Sequence, residues 1–152
     1  MLLLTINIKD EAYGIDAQHI IEVIPLVILQ HVPHVDKCIR GIFNYRGTPV
    51  PVVDLSIFFN HHACRGSFGT RIIIIHINMP DSTIKAVGLL AEHVTEVIKC
   101  NPQDFRSNGI SANHAQFLQS VYQHENGIIQ IIDVKKVIPD SISQQLNTHA
   151  LS

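Results

Sequence analysis

The 152-residue sequence contains no tryptophan, three cysteines and no excess of basic residues. Its 11 lysines and arginines stand against 13 aspartates and glutamates, which gives a formal net charge of −2 at pH 7. It therefore lacks the positive field that attracts a nucleic-acid backbone, and we expect no nucleic-acid partner. Cys38, Cys64 and Cys100 are far apart and include no C-x-x-C pair. This spacing argues against a disulfide scaffold or a thiolate zinc site and is typical of a reduced, cytoplasmic protein.

A signal peptide and a long apolar run are also missing. The first residues, MLLLTINIKDEAYG, have no basic region, and their apolar run is three leucines. They do not fit a signal peptide. The longest apolar stretch, RIIIIHI, is much shorter than the roughly 20 residues of a membrane-spanning helix. We therefore expect a cytoplasmic protein without direct membrane insertion.

The residues that are present predict a mainly-β protein whose residues 1–152 form a single domain. Hydrophobic residues make up 46% of the chain and charged residues 16%, which is enough to form a core. Short apolar segments are separated by Gly, Asn, Pro and Asp, as in barrels and sandwiches. These segments are 2–8, 39–45, 49–53, 71–78, 84–90, 94–99, 117–122 and 128–132. Helical character is confined to the residues after Asp54 and Asp133 and to 141–151.

An internal repeat predicts two related halves. YGIDAQHIIEVI at 13–24 resembles VGLLAEHVTEVI at 87–98, and GTPVPVVDL at 47–55 resembles GIIQIIDV at 127–134. A half of about 75 residues buries too little surface to be stable alone, so two small barrels sharing a core are expected. The first barrel would lie mainly in 13–70 and the second mainly in 71–138, with exchange of strands between the halves left open and 139–152 as a tail or helix. The alternative is a chance similarity of strand patterns.

The stretch NYRGTPVPVVDL predicts a strand that is paired on one side only. Pro49 and Pro51 lie two residues apart, so both missing N–H groups belong to the same edge of the strand. Arg46 precedes this strand and Asp54 ends it. We interpret Asp54 and Asp133 as helix N-caps rather than as an acid–base pair.

Candidate catalytic groups are weak. The tight histidine groups are His31-Val-Pro-His34 and His61-His62, and neither has the converging third ligand of a catalytic zinc site. Cys64 beside Arg65 could be a thiol with a depressed pKa, although no base is placed beside it. We expect no catalytic residue, metal or cofactor. A metal-dependent or enzymatic module that uses the scattered histidines is the alternative.

Four segments resemble the CheW-like domain of bacterial chemosensory systems: YGIDAQHIIEVI, GIFNYRGTPVPVVDL, TRIIII and VGLLAEHVTEVI. NGIIQIIDVKKVI is similar to the closing strand and helix of that family. The resemblance implies two intertwined, five-stranded SH3-like β-barrels with short helices. It also implies a non-enzymatic adaptor that couples the tips of methyl-accepting chemoreceptors to the regulatory domain of a CheA-type histidine kinase. Such a protein would be cytoplasmic and recruited to receptor arrays at the inner membrane.

The resemblance also assigns interface residues by position. Arg46 matches the arginine of the family's N-L-R-G motif, Glu22 the acidic residue of its V-x-E-V motif, and Gly41 the glycine before the N-L-R-G turn. The kinase domain would bind near Gly41, Arg46 and Val50. The receptor would bind in a groove between the barrels, surrounded by Ile20, Val23, Val94 and Val97.

Two departures from the family pattern are Tyr45, in place of leucine before Arg46, and Ser120, in place of a glycine. We expect the first to be mild and the second to affect the register of the second barrel. Arg46 and Glu22 have opposite charges, and we expect them to lie close together on neighbouring strands. The alternative is that both are ordinary solvated charges.

Overall fold

The structure of the protein, a computed structural model, describes residues 1–59, 62–79, 81–110, 118, 120–125 and 127–138. The strands are β1 (Leu2–Ile8), β2 (Glu11–Asp16), β3 (Ile20–Pro25), β4 (Ile39–Tyr45), β5 (Thr48–Asp54), β6 (Arg71–Asn78), β7 (Ile84–Ala91), β8 (His93–Lys99), β9 (Phe105–Ser107), β10 (Ser120–His124) and β11 (Gly127–Ile131). The α-helix α1 is Leu55–Phe58, and Ala17–His19 and Pro102–Asp104 are single 3-10 turns. No helix within these ranges combines the length and apolar character that a membrane crossing requires.

The strands form two sheets. One has five strands in the order β3-β6-β7-β5-β4, and the other has six in the order β8-β1-β2-β11-β10-β9. We call the five-stranded sheet the first barrel and the six-stranded sheet the second barrel. The chain crosses from the second barrel to the first after β2 and returns after β7. The predicted mainly-β fold of two intertwined barrels is confirmed, and β9 gives the second barrel one strand more than expected.

The sequence repeat corresponds to these two crossings. The first copy runs from β2 into β3 and the second from β7 into β8. Gly14 pairs with Thr5 and Ile131, and Gly88 occupies the same place in the other barrel, between Ile74 and Val52. A Cβ at either glycine would lie 2.7 Å from a side chain, that of Leu3 or Ile72. The matching register shows that the repeat is structural and not a chance similarity.

The expected halves, mainly 13–70 and mainly 71–138, exchange strands in the two sheets. The first barrel takes its strands from 20–91, while β1 and β2 join β8 to β11 in the second. The reason is pairing, because β6 is the neighbour of β3 and β7 is the parallel neighbour of β5. Strands β3, β4 and β5 are therefore completed into a sheet by the hairpin of β6 and β7 from the second repeat. Strands β8 to β11 are completed by the hairpin of β1 and β2 from the first repeat. The expected tail or helix at 139–152 lies outside the described residues.

The two barrels share a hydrophobic core. β1 and β2 contribute Ile6, Ile8 and Ile15, while β6 and β7 contribute Ile73, Ile75 and Leu89. Ile72 and Ile74 face the opposite way, into a smaller cluster within the first barrel. The apolar run of β6 is thus explained by a strand with both faces buried.

β5 is paired as the two prolines predict. It pairs with β4 from Thr48 to Val53, but with β7 only from Val52 to Asp54. Among the described residues, the part that contains Pro49 and Pro51 therefore has a ladder partner on one side only.

The two predicted aspartate caps have different outcomes. The Asp54 carboxylate accepts hydrogen bonds from the backbone N–H groups of Ser56, at 2.9 Å, and Ile57, at 3.4 Å, at the start of α1. Asp133 accepts one from Lys135, at 3.0 Å, but the described residues after it form turns. The helix predicted after Asp133 is therefore wrong as far as residue 138.

Candidate functional site

The tip of the β4–β5 hairpin places a cation on the outside of the first barrel. Tyr45 pairs with Thr48, so Arg46 and Gly47 form a two-residue turn. Both have positive φ, 52° and 87°, as a type I′ hairpin turn requires. The Asn44 side-chain oxygen accepts a hydrogen bond of 2.8 Å from the Gly47 N–H group and stabilises this turn. The Arg46 side chain is 73% exposed.

Glu22 receives two donors from this hairpin. Arg46 Nη2 lies 3.0 Å from Glu22 Oε2, and the Tyr45 hydroxyl donates to the same oxygen. The predicted proximity of Arg46 and Glu22 is therefore confirmed, but their strands do not pair. β3 and β4 are opposite edges of the five-stranded sheet, and this contact joins the two edges across the barrel. An ion pair this exposed contributes only about 0–1 kcal/mol to stability.

Tyr45 connects the cluster to an aromatic pair. The guanidinium carbon of Arg46 lies 5.3 Å from the centre of the Tyr45 ring, and the Phe43 ring meets Tyr45 edge-on at 6.1 Å. The hydrogen bond to Glu22 raises the pKa of Tyr45 above its ordinary value of 10.0. From the sequence, Tyr45 is expected to be only a mild replacement for leucine. The alternation of Phe43 and Tyr45, which puts both rings on one face of β4, was the available signal.

β3 and the residues after it carry exposed apolar side chains. Ile21 is 40% exposed and Val23 38%, and Leu26, Val27 and Ile28 beyond the strand are exposed too. The other predicted groove residues divide into two kinds. Val97 on β8 is 54% exposed, whereas Ile20 and Val94 pack partly buried against the shared core.

Gly41 and Val50 do not lie on this surface. Val50 is fully buried, and Gly41 is a buried residue of β4. Gly41 has φ 144°, and a Cβ there would overlap the Gln30 carbonyl oxygen. The Gln30 and Ile42 backbones are joined by two hydrogen bonds, of 2.8 and 2.9 Å, which bring them this close. The Val50 side chain is therefore part of the barrel interior, and Gly41 shapes the barrel wall through its close backbone approach to Gln30.

The other polar candidates are structural. Asp54 is fully buried, and its carboxylate accepts from Arg40 Nη1 at 2.6 Å and from the Cys64 N–H group at 2.8 Å. Burial, and then the charge of Asp54, raises the pKa of Cys64 to about 12, so a depressed thiol pKa is wrong. Within the described part of the chain, no three His, Cys, Asp or Glu side chains could hold a metal ion together. His61, one of the predicted histidines, lies outside that part.

The chain is similar to known chemotaxis proteins. Residues 2–141 match the family described as CheW-like domain. The chemotaxis protein CheW of Treponema pallidum is 22% identical over 148 residues, which cover 95% of this chain and 85% of that protein. The CheW of Bacillus subtilis is 29% identical over 115 residues, which cover 74% of this chain and 70% of that protein.

A solved structure has the same fold. The crystal structure of the scaffolding protein TtCheW from Thermoanaerobacter tengcongensis matches with a TM-score of 0.79 and 24% identity, over 99% of this chain and 91% of that one. The fold, the repeat and the family match over residues 2–141 agree with one another. The chain therefore belongs to the CheW-like domain family, whose members are non-enzymatic scaffolding proteins of chemotaxis.

Proposed function

We propose that this protein is the adaptor that couples methyl-accepting chemoreceptors to a CheA-type histidine kinase. It acts in the cytoplasm, at receptor arrays on the inner membrane, and it contributes binding surfaces rather than catalysis. The observation that carries this proposal is the cluster of Glu22, Tyr45 and Arg46 on a barrel whose edge strand β3 also carries exposed apolar residues. In a protein interface, exposed apolar side chains supply surface to bury, and a charge in a fixed position discriminates between partners.

The receptor tip is assigned to the side of the first barrel that carries Arg46 and Glu22, extending toward the seam between the barrels. Val23 and Val97 are exposed on β3 and β8, the two crossing strands. Ile20 and Val94, on the same two strands, pack partly buried against the shared core. These side chains are the apolar surface that we assign to a helix of the receptor tip. The helical hairpin of a receptor tip has the shape to occupy it.

The kinase regulatory domain is assigned to the first barrel near the β4–β5 hairpin. Gly41 and Val50 support this surface from inside, because they fix the course of β4 and β5. The open side of β5 carries prolines, so a partner must bind it through side chains and not by adding a strand.

Assembly from purified components tests the adaptor function. A receptor-tip fragment and a kinase with its regulatory domain are mixed with and without this protein, and complexes are separated by size with light scattering. We expect a complex of all three that does not form when this protein is omitted. Binding to neither partner, or a receptor–kinase complex of equal yield without this protein, would contradict the adaptor function.

A further inference from the structure

The Tyr45 side chain lies at the centre of the cluster and touches every other member. Its hydroxyl donates to Glu22 Oε2, and its ring lies beneath the Arg46 guanidinium. Phe43 meets the same ring edge-on, which supports it from the side. Because Arg46 is long and mostly exposed, a single ion pair would leave it many rotamers. The tyrosine ring and the Glu22 carboxylate that it holds restrict these rotamers.

The guanidinium held in this way still has free donors. Within the described residues, Arg46 uses only Nη2, toward Glu22, so Nε and Nη1 remain available to an acceptor. Each of these donors can form a charge-assisted hydrogen bond with a carboxylate oxygen. Ile21 and Val23 are exposed on the strand that carries Glu22. The fitting partner therefore presents a carboxylate beside apolar side chains.

The equivalent hairpin of the second barrel lacks this arrangement. His124 pairs with Gly127 there, as Tyr45 pairs with Thr48 in the first barrel. Glu125 follows with a positive φ, as Arg46 does. In the described part of the second barrel, no hydrogen bond joins this hairpin to Glu96, the counterpart of Glu22. Among the described residues, a tyrosine that contacts both an arginine and a glutamate is therefore found at the first hairpin and not at the second.

We propose that Tyr45 is a specificity-determining residue, which positions Arg46 to bind a carboxylate on a helix of the receptor tip. The inference rests on the proposed adaptor function and assigns the chemistry of its receptor site. The tyrosine hydroxyl is the part of the side chain that holds Glu22, and the ring is the part that orients Arg46.

Calorimetric titration of the full chain with a receptor-tip fragment tests this role. Tyr45→Phe removes the hydroxyl and keeps the ring, and we expect it to weaken binding about three- to tenfold. Tyr45→Leu should weaken binding further because the ring is lost too. Tyr122→Phe is the matched control, since Tyr122 lies on the equivalent hairpin against Phe105 and His124. It should bind as the wild type does.

A double-mutant cycle separates positioning from general damage. In an Arg46→Ala background, Tyr45→Phe should change affinity by less than about twofold, because the group that it positions is gone. An equal penalty with and without Arg46 would overturn the inference. So would unchanged binding of Tyr45→Phe in the wild-type background, or a loss confined to the isolated kinase regulatory domain.

Failure of the adaptor function itself would look different. The wild type would then bind neither the receptor tip nor the kinase domain. The positioning role is decided in that case without a partner, by NMR of the Arg46 side chain. A guanidinium signal that is ordered in the wild type and mobile in Tyr45→Phe supports the positioning role, and equal mobility in both overturns it.

Discussion

The two hairpins have matching strand pairing and present opposite charges at Arg46 and Glu125. Arg46 at the tip of the first barrel and Glu125 at the tip of the second both have positive φ, 52° and 48°. Tyr45 pairs with Thr48 before one tip, and His124 pairs with Gly127 before the other. The backbone therefore does not decide what each tip binds.

The neighbours of the tips differ in the same way. Glu22 accepts two donors from the first hairpin, whereas His124 Nε2 stands 3.9 Å from Glu125, beyond hydrogen-bond distance. The His124 ring instead stacks on Tyr122, at 6.0 Å. The two hairpins therefore have the same strand pairing, and their side chains give only the first described tip a cation.

The largest difference between the barrels in the effect of a substitution on stability is expected at Gly41 and Ser120. These residues occupy equivalent positions in β4 and β10. Gly41→Ala should lower the free energy of unfolding by about 2–4 kcal/mol, because its Cβ would overlap the Gln30 carbonyl oxygen at a positive φ. Denaturant titration measures the effect. Ser120→Ala is the control and should be nearly neutral. A Gly41→Ala variant as stable as the wild type would contradict the close approach in β4.

The barrels should nevertheless unfold together. β6 and β7 complete the first barrel, β1 and β2 complete the second, and these strands build the shared core. We expect one calorimetric transition whose van't Hoff and calorimetric enthalpies agree. Two separated transitions would show that each barrel is stable alone.

Alkaline pH should destabilise the protein because buried cysteine thiols and a tyrosine hydroxyl then lose their protons. Burial raises the pKa of Cys38 and Cys64 to about 12 from 9.0, and that of Tyr13 to about 12 from 10.0. Folding favours their neutral forms, so their contribution is complete below about pH 9 and is lost as the pH rises to about 12. Stability measured by urea titration should fall over this interval.

Cysteine variants sharpen this comparison. Cys64→Ala should flatten the decline because one raised pKa is removed. Cys100→Ala, in the small core of the second barrel, should flatten it less, since the N-terminal charge opposes the effect of burial on the pKa of Cys100. A decline that is the same in the wild type and Cys64→Ala would exclude Cys64 as a cause.

The fold could be predicted where it depends on local pattern. Pro49 and Pro51 indicated a half-paired strand, and the repeat indicated two barrels. Which hairpin completes which sheet could not be predicted, because β3 meets β6 only through tertiary pairing. The alternation of apolar residues in β3 or β6 is the same whichever sheet the strand joins.

The site could likewise be predicted only where local sequence motifs indicate it. Opposite charges in matching motifs indicated that Glu22 and Arg46 meet. The burial of Val50 and Gly41 could not be predicted, because residue type does not show which face of a partly paired strand is covered. Tyr45 was missed because its hydroxyl reaches a residue on the opposite edge of the sheet.

The affinity of the receptor tip for Arg46→Glu and Glu125→Arg tests most directly whether the first hairpin carries the adaptor site. Arg46→Glu should weaken binding by about tenfold or more and leave the melting temperature nearly unchanged, because the exposed pair adds little stability. Glu125→Arg reverses the charge at the equivalent turn and should bind as the wild type does. Equal binding by Arg46→Glu, or an equal loss in both variants, would contradict a site confined to the first barrel.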